Sequence, residues 1–203
     1  MSFELIDNLF QTIVLLIMAL SAFVISLIKG SRGIMLLSLG YGSFMTGTIF
    51  YALHIYILGY TPKVFYVSEI AWLAAYLFIF SALYLRCDGI CFRLKQAIFS
   101  FVPTVVSFAF KMFGPSYVTA GAFSILAGII TYVSLCNIEA RGLKKCLTEV
   151  MLVVCIVLQL LIYIVSGFMS DWTVFNLYYA VDMTFTLCMA SVLPIMCKEE
   201  KSV

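Results

Sequence analysis

Charge is what this sequence has least of. Only 11% of its 203 residues are charged, against roughly 25% in an ordinary soluble domain, and 64% are hydrophobic. A water-soluble chain of this length could not hide so much apolar surface, because a single core leaves a large part of the chain facing solvent. Histidine is almost absent as well: His54 stands alone. With no HExxH pattern and no serine elbow, there is little from which to assemble a catalytic metal site or a triad. No polar stretch is long enough for a soluble catalytic or DNA-binding domain.

What is present is one apolar run after another. Reading for spans of about 20 residues predicts an all-α polytopic membrane bundle of seven transmembrane helices. They are expected over 9–28, 34–58, 64–85, 97–113, 117–137, 149–169 and 172–196, as one domain over 1–203. The lipid bilayer is thus the first expected partner. Of the 12 Lys and Arg residues, Lys29, Arg32, Arg86, Arg93, Lys95, Arg141, Lys144, Lys145, Lys198 and Lys201 fall on one side, and Lys63 and Lys111 on the other. Cytoplasmic loops are enriched in such residues, so the expectation is a multi-pass cell-membrane protein with its N-terminus outside and its C-terminus in the cytoplasm. Basic residues confined to loops do not make a nucleic-acid-binding face, and no nucleic acid is expected. The first run follows Glu4 and Asp7 rather than a basic segment, so it is expected to stay as helix 1 and not to be a signal peptide.

Seven cysteines map to the cytoplasmic side, which is reducing, and no disulfide is expected. Cys87 and Cys91 lack the further ligands that a tetrahedral metal site needs. The sequence implies no metal and no cofactor.

The expensive residues are the ionisable ones inside apolar runs, which mark functional positions by default. Glu69 sits about five residues into helix 3, at the depth of His54 near the outer end of helix 2. Positions 69, 72 and 76 share one side of a helix, which joins Glu69 to Trp72 and Tyr76 in a polar and aromatic stripe. In helix 7, Asn176, Tyr179, Asp182 and Thr186 fall within an arc of about 120°. If that helix starts at 172, Asp182 lies roughly 15 Å in, near the bilayer midplane. Helix 1 offers few polar groups within its span, Gln11 and serines among them, and is expected to carry no site. Ser43 and Gly47 form a small-x-x-x-small pair that lets a neighbouring backbone approach closely. Ser100, Thr104 and Ser107 share a face of helix 4 with Pro103 among them. Glu149, near Lys144 and Lys145, suits the positive start of helix 6.

Spacing at an offset of 110 residues, Val64-Phe65 against Val174-Phe175 and Ser81 against Ser191, suggests two triplets of helices joined by helix 4. This 3+1+3 layout resembles the microbial rhodopsins. The resemblance implies acids on helices 3 and 7 around a lysine-bound retinal, but the residue one turn beyond Asp182 is Thr186 and helix 7 has no lysine. Retinal attached in that way is excluded. The segment TPKVFYVSEIAWLAAYLF is similar to the multi-helix input regions of bacterial signalling proteins, which implies a sensor role. With no output domain in the chain, signalling would pass through a cytoplasmic partner.

The expectation is a receptor or sensor-like module and not an enzyme. Its pocket, open to the outside between helices 2, 3, 6 and 7, would be lined by Tyr51, His54, Glu69, Trp72, Tyr76, Tyr179 and Asp182. Acids beside aromatics suit a small cationic or amphipathic ligand. The alternative is a small-solute or proton-coupled transporter built on the repeat. Less favoured is a lipid-modifying enzyme using Glu69 and Asp182.

Overall fold

The computed structural model describes residues 3–60, 66–87, 93–110, 116–169 and 171–200. Lys63, the Val64-Phe65 pair, Cys91, Lys111 and Lys201 lie outside the described residues. Within them the chain is helical and has no strand: α1 (Phe3–Lys29), α2 (Arg32–Leu58), α3 (Tyr66–Tyr84), α4 (Leu94–Ala109), α5 (Tyr117–Arg141), α6 (Leu147–Ser166) and α7 (Leu177–Glu199), with one 3-10 turn at Leu143–Lys145. Six of the seven helices are long and apolar enough to cross a membrane; α4 is apolar but has 16 residues.

Two boundaries differ from the expectation in ways that matter. Helix α1 begins at Phe3 and not at residue 9, because an amphipathic first turn can continue a helix when its polar side is covered by neighbours. Helix α7 begins at Leu177 and not at 172. The Asp171 carboxylate accepts from the Thr173 backbone N–H at 2.9 Å and from its hydroxyl at 2.6 Å, and the Asn176 side chain donates to the Asp171 carbonyl at 2.8 Å. These local bonds hold 171–176 in a turn, and Asn176 then caps α7 by accepting from the Tyr179 N–H. Asp182 is therefore only about 8 Å from the helix start at 1.5 Å per residue, close to the end of the bundle and not at its middle.

Six helices form a closed circuit: α1 packs on α2, α2 on α3, α3 on α5, α5 on α6, α6 on α7 and α7 on α1. Helix α4 packs chiefly on α5, with a smaller contact to α6. Inside the circuit lie Tyr41, Phe44, Tyr76, Phe123 and Phe185, with Tyr76 and Phe123 edge to face at 5.0 Å across α3 and α5. Large apolar side chains such as Ile13, Leu20 and Ile28 on α1 and Phe101 and Val105 on α4 face outward, as lipid contact requires. Lipid tails are as apolar as leucine, so close packing rather than water exclusion must hold such helices together. Gly47 and Gly128 supply it: a Cβ on Gly47 would lie 2.6 Å from Trp72 Nε1, and one on Gly128 would collide with Thr104 Oγ1. Buried hydroxyls mostly bond within their own helix, as Thr131 does to the Ala127 carbonyl and Ser107 to that of Pro103.

The end of the bundle with the basic connectors is closed by ions. Glu149, fully buried on α6, accepts from Arg141 and Asn137 on α5, and its Oε1 is 3.6 Å from Arg86 Nε beyond α3. Arg86 also pairs with Glu199 on α7. Glu199 in turn accepts from the Thr148 N–H and hydroxyl at the start of α6, at 3.1 and 2.6 Å. Glu149 was expected beside Lys144 and Lys145; its partners are arginines, whose planar fork suits shared carboxylates. Next to this network, burial pushes the Cys146 thiol up from its ordinary range, and as a thiol it donates to the Asn137 carbonyl.

Candidate functional site

The opposite end of the bundle, where the N-terminus lies, is hollow. A cavity of about 490 Å³ sits between α1, α2, α3, α6, α7 and the turn before α7. Its aromatic wall is formed by Phe44, Tyr51, Trp72, Tyr163, Trp172, Tyr178, Tyr179 and Phe185, and its polar groups are Glu4, Asn8, Gln11, Gln159, Ser166 and Asp182. No lysine, arginine or histidine is among these lining residues.

Each wall has a reason to stand where it does. Trp72 reaches the cavity because Gly47 opposite it has no side chain, and Ser68 one turn earlier donates to the Gly47 carbonyl at 2.8 Å, fixing α3 against α2. Tyr51 is held by its hydroxyl, which donates to Glu4 Oε1 at 3.3 Å. The turn before α7 is folded over the start of α1: the Phe3 N–H donates to the Thr173 carbonyl at 3.1 Å, and the Phe3 ring lies 4.9 Å from that of Tyr179. Tyr179 donates to the Trp172 carbonyl at 2.7 Å, and the Trp172 ring meets Tyr178 edge on at 5.0 Å. In this turn the two hydrogen bonds from Thr173 hold the Asp171 carboxyl below its usual range.

Asp182 is the polar centre. It is 8% exposed and faces the Gln11 amide and the Tyr178 hydroxyl. Behind it on α1 stands the carboxyl of Asp7, which is 1% exposed. Asp7 Oδ1 is buried and has no hydrogen-bond partner among the described residues.

Of the residues singled out from the sequence, Tyr51, Trp72, Tyr179 and Asp182 line the cavity and His54, Glu69 and Tyr76 do not. Tyr76 lies just below it, donating to Gln159 Oε1 at 3.0 Å. Glu69 is fully buried, but on the other flank of α3, where its neighbour is the Thr119 hydroxyl of α5. The predicted stripe is thus divided, since 60° of helical rotation separates position 69 from 72. His54 packs between Phe50 and Tyr60, with ring centroids 6.4 and 5.3 Å away.

Helix α1, expected to carry no site, contributes Glu4, Asn8 and Gln11 to the lining and Asp7 behind it. The signal was legible: positions 4, 7, 8 and 11 have the i, i+3, i+4, i+7 spacing of one helical face. Of the polar face expected for α7, Tyr179, Asp182 and Thr186 are buried, while Asn176 precedes the helix as its N-cap.

No known protein family, curated protein or solved structure matches this chain.

Proposed function

We propose that the chain is a membrane receptor or sensor-like module that binds a small amphipathic cation in the cavity at its N-terminal end. The carrying observation is the combination found there: two acidic side chains, Glu4 and Asp182, inside an aromatic wall with no basic residue among the lining. An aromatic face attracts a cation by about 0.5–2 kcal/mol, more when water is excluded. A fixed carboxylate adds direction, and a cavity of about 490 Å³ falls within the usual range for small-molecule sites, about 300–1,000 Å³. The skew of basic residues between connectors supports a cavity that faces outside. In this reading the signal travels along α3, α6 and α7 to the ion network that joins their far ends, and from there to a cytoplasmic partner.

The test is titration of the purified protein with benzyltrimethylammonium, an aromatic quaternary cation, following tryptophan fluorescence. Saturable change that Asp182→Asn removes is the expected result; no saturable change in the unaltered protein rejects the reading. The transporter alternative makes a separate demand, since it requires a pathway to the other side. The cluster of buried Glu149 with half-buried Arg86 and Glu199 closes that end, which favours sensing. Cation uptake into proteoliposomes would reverse the preference.

A further inference from the structure

We propose that the groove between the α1–α2 turn and the end of α3 is a binding site for one anionic phospholipid, whose phosphate pairs with Arg32 and whose acyl chain lies along the groove. The site is independent of the cavity at the opposite end of the bundle.

The groove has a volume of about 500 Å³ and opens on the outer surface of the bundle. Leu27 on α1, Met35 and Leu36 on α2 and Leu85 just after α3 form its apolar wall, and Arg32 is the one charged residue of its lining. Leu27 and Leu85 are more than half exposed, which suits contact with a lipid tail better than contact with water. The two hydroxyls of the lining are already engaged. Ser26 donates to the Phe23 carbonyl at 2.7 Å, and Ser31 donates to Glu200 Oε1 at 2.7 Å while accepting from the Ile34 N–H. What is left to meet a headgroup is Arg32.

Arg32 differs from the other arginines. The sequence has four, and three of them hold carboxylates: Arg86 that of Glu199, Arg93 that of Glu139 and Arg141 that of Glu149. Arg32 is exposed and has no carboxylate partner among the described residues. Glu200, the acid tied to the groove through Ser31, is paired instead with Lys29 at 3.6 Å. A guanidinium presents a planar fork of donors that matches phosphate oxygens two at a time. An anionic headgroup supplies the missing counter-charge.

Depth agrees with that occupant. Ser31 caps α2 and Arg32 is its first residue, so the guanidinium stands where the apolar helix ends and headgroups begin, with its methylene stem free to lie along the groove. Leu36 is about one turn, roughly 5.4 Å, deeper toward the hydrocarbon. Anionic lipids are concentrated in the cytoplasmic leaflet, the side that the skew of basic connectors marks. A zwitterionic lipid carries its own ammonium group and meets Arg32 with no net charge. Free phosphate lacks the chain that covers the apolar wall.

Native mass spectrometry of the full chain in detergent, titrated with phosphatidylglycerol, phosphatidylcholine or inorganic phosphate, tests the site. The expected result is one phosphatidylglycerol bound in preference to phosphatidylcholine, and no binding of inorganic phosphate. Arg32→Gln should lower the affinity about fivefold, the contribution of one basic residue beside an anionic lipid. Leu36→Trp, which fills the groove and keeps the charge, should weaken binding as well. Lys144→Gln removes an exposed charge that does not line the groove and should change nothing. Equal binding of the two lipids overturns the proposal, as does phosphatidylglycerol binding that Arg32→Gln leaves intact or that Lys144→Gln weakens to the same degree. Inorganic phosphate bound as well as the lipid overturns the role of the groove. Should Leu36→Trp melt early without lipid, Arg32→Gln decides alone.

Discussion

Gly47 on α2 leaves the space that Trp72 on α3 fills. A Cβ at Gly47 would lie 2.6 Å from the indole Nε1 and 3.1 Å from the Ser68 carbonyl. One missing side chain thereby sets both the approach of two helices and one aromatic wall of the cavity.

Gly47→Ala should therefore act at both levels. Overpacking of this kind costs about 1–3 kcal/mol, read as a lower melting temperature in detergent. Binding of the aromatic cation should weaken as well, because Trp72 must turn away. Unchanged melting and binding would show that α3 can shift freely against α2.

At the other end of the bundle, Glu149→Ala should be among the most damaging substitutions outside the apolar core. It removes a fully buried acid shared by Arg86 and Arg141, and breaking a buried pair by deleting one partner costs about 3–5 kcal/mol. Chemical denaturation of the two proteins side by side measures it. A loss under about 1 kcal/mol, the range of exposed pairs, would mean that the network is loosely held.

The turn before α7 should be stable to acid. Hydrogen bonds from Thr173 lower the Asp171 carboxyl below its ordinary value of 3.8, so their contribution is complete above that pH. It is lost only as pH falls through the lower, folded value. In a Trp72→Phe background, Trp172 fluorescence should be constant from neutral pH down to the ordinary carboxyl range and change below it. Asp171→Ala should show the acid-type spectrum already at pH 7; a midpoint above 3.8 would contradict the assignment.

How far the sequence reaches can be judged residue by residue. Hydropathy located all seven helices, because a span of apolar residues is a property of composition. The inward side of α7 followed from periodicity at Tyr179, Asp182 and Thr186. The acids of α1 were visible as a helical face at positions 4, 7, 8 and 11, but a span drawn on hydropathy alone starts after them. The start of α7 was encoded in the Asp171, Thr173 and Asn176 side chains, whose local bonds outcompete the helix. Two features depend on tertiary packing and had no local signal: the turning of Glu69 toward α5, and the position of α4 beside the circuit of the other six helices.

Within the cavity, the aromatic wall should matter in proportion to its faces. Trp72→Leu keeps an apolar side chain but removes the ring, and should weaken cation binding by roughly tenfold, the equivalent of about 1.4 kcal/mol. An uncharged isostere of the probe should bind weakly to both proteins. Equal binding of charged and uncharged probes would point to an apolar ligand instead.

The central claim is that this cavity is a cation site anchored by Asp182, and thermal melting in detergent tests it most directly. A ligand that binds only the folded protein raises the melting temperature steadily with concentration. The unaltered protein should show that rise with benzyltrimethylammonium, and Asp182→Asn, with its fold retained, should show none. No rise in the unaltered protein, or the same rise in both, would contradict the account.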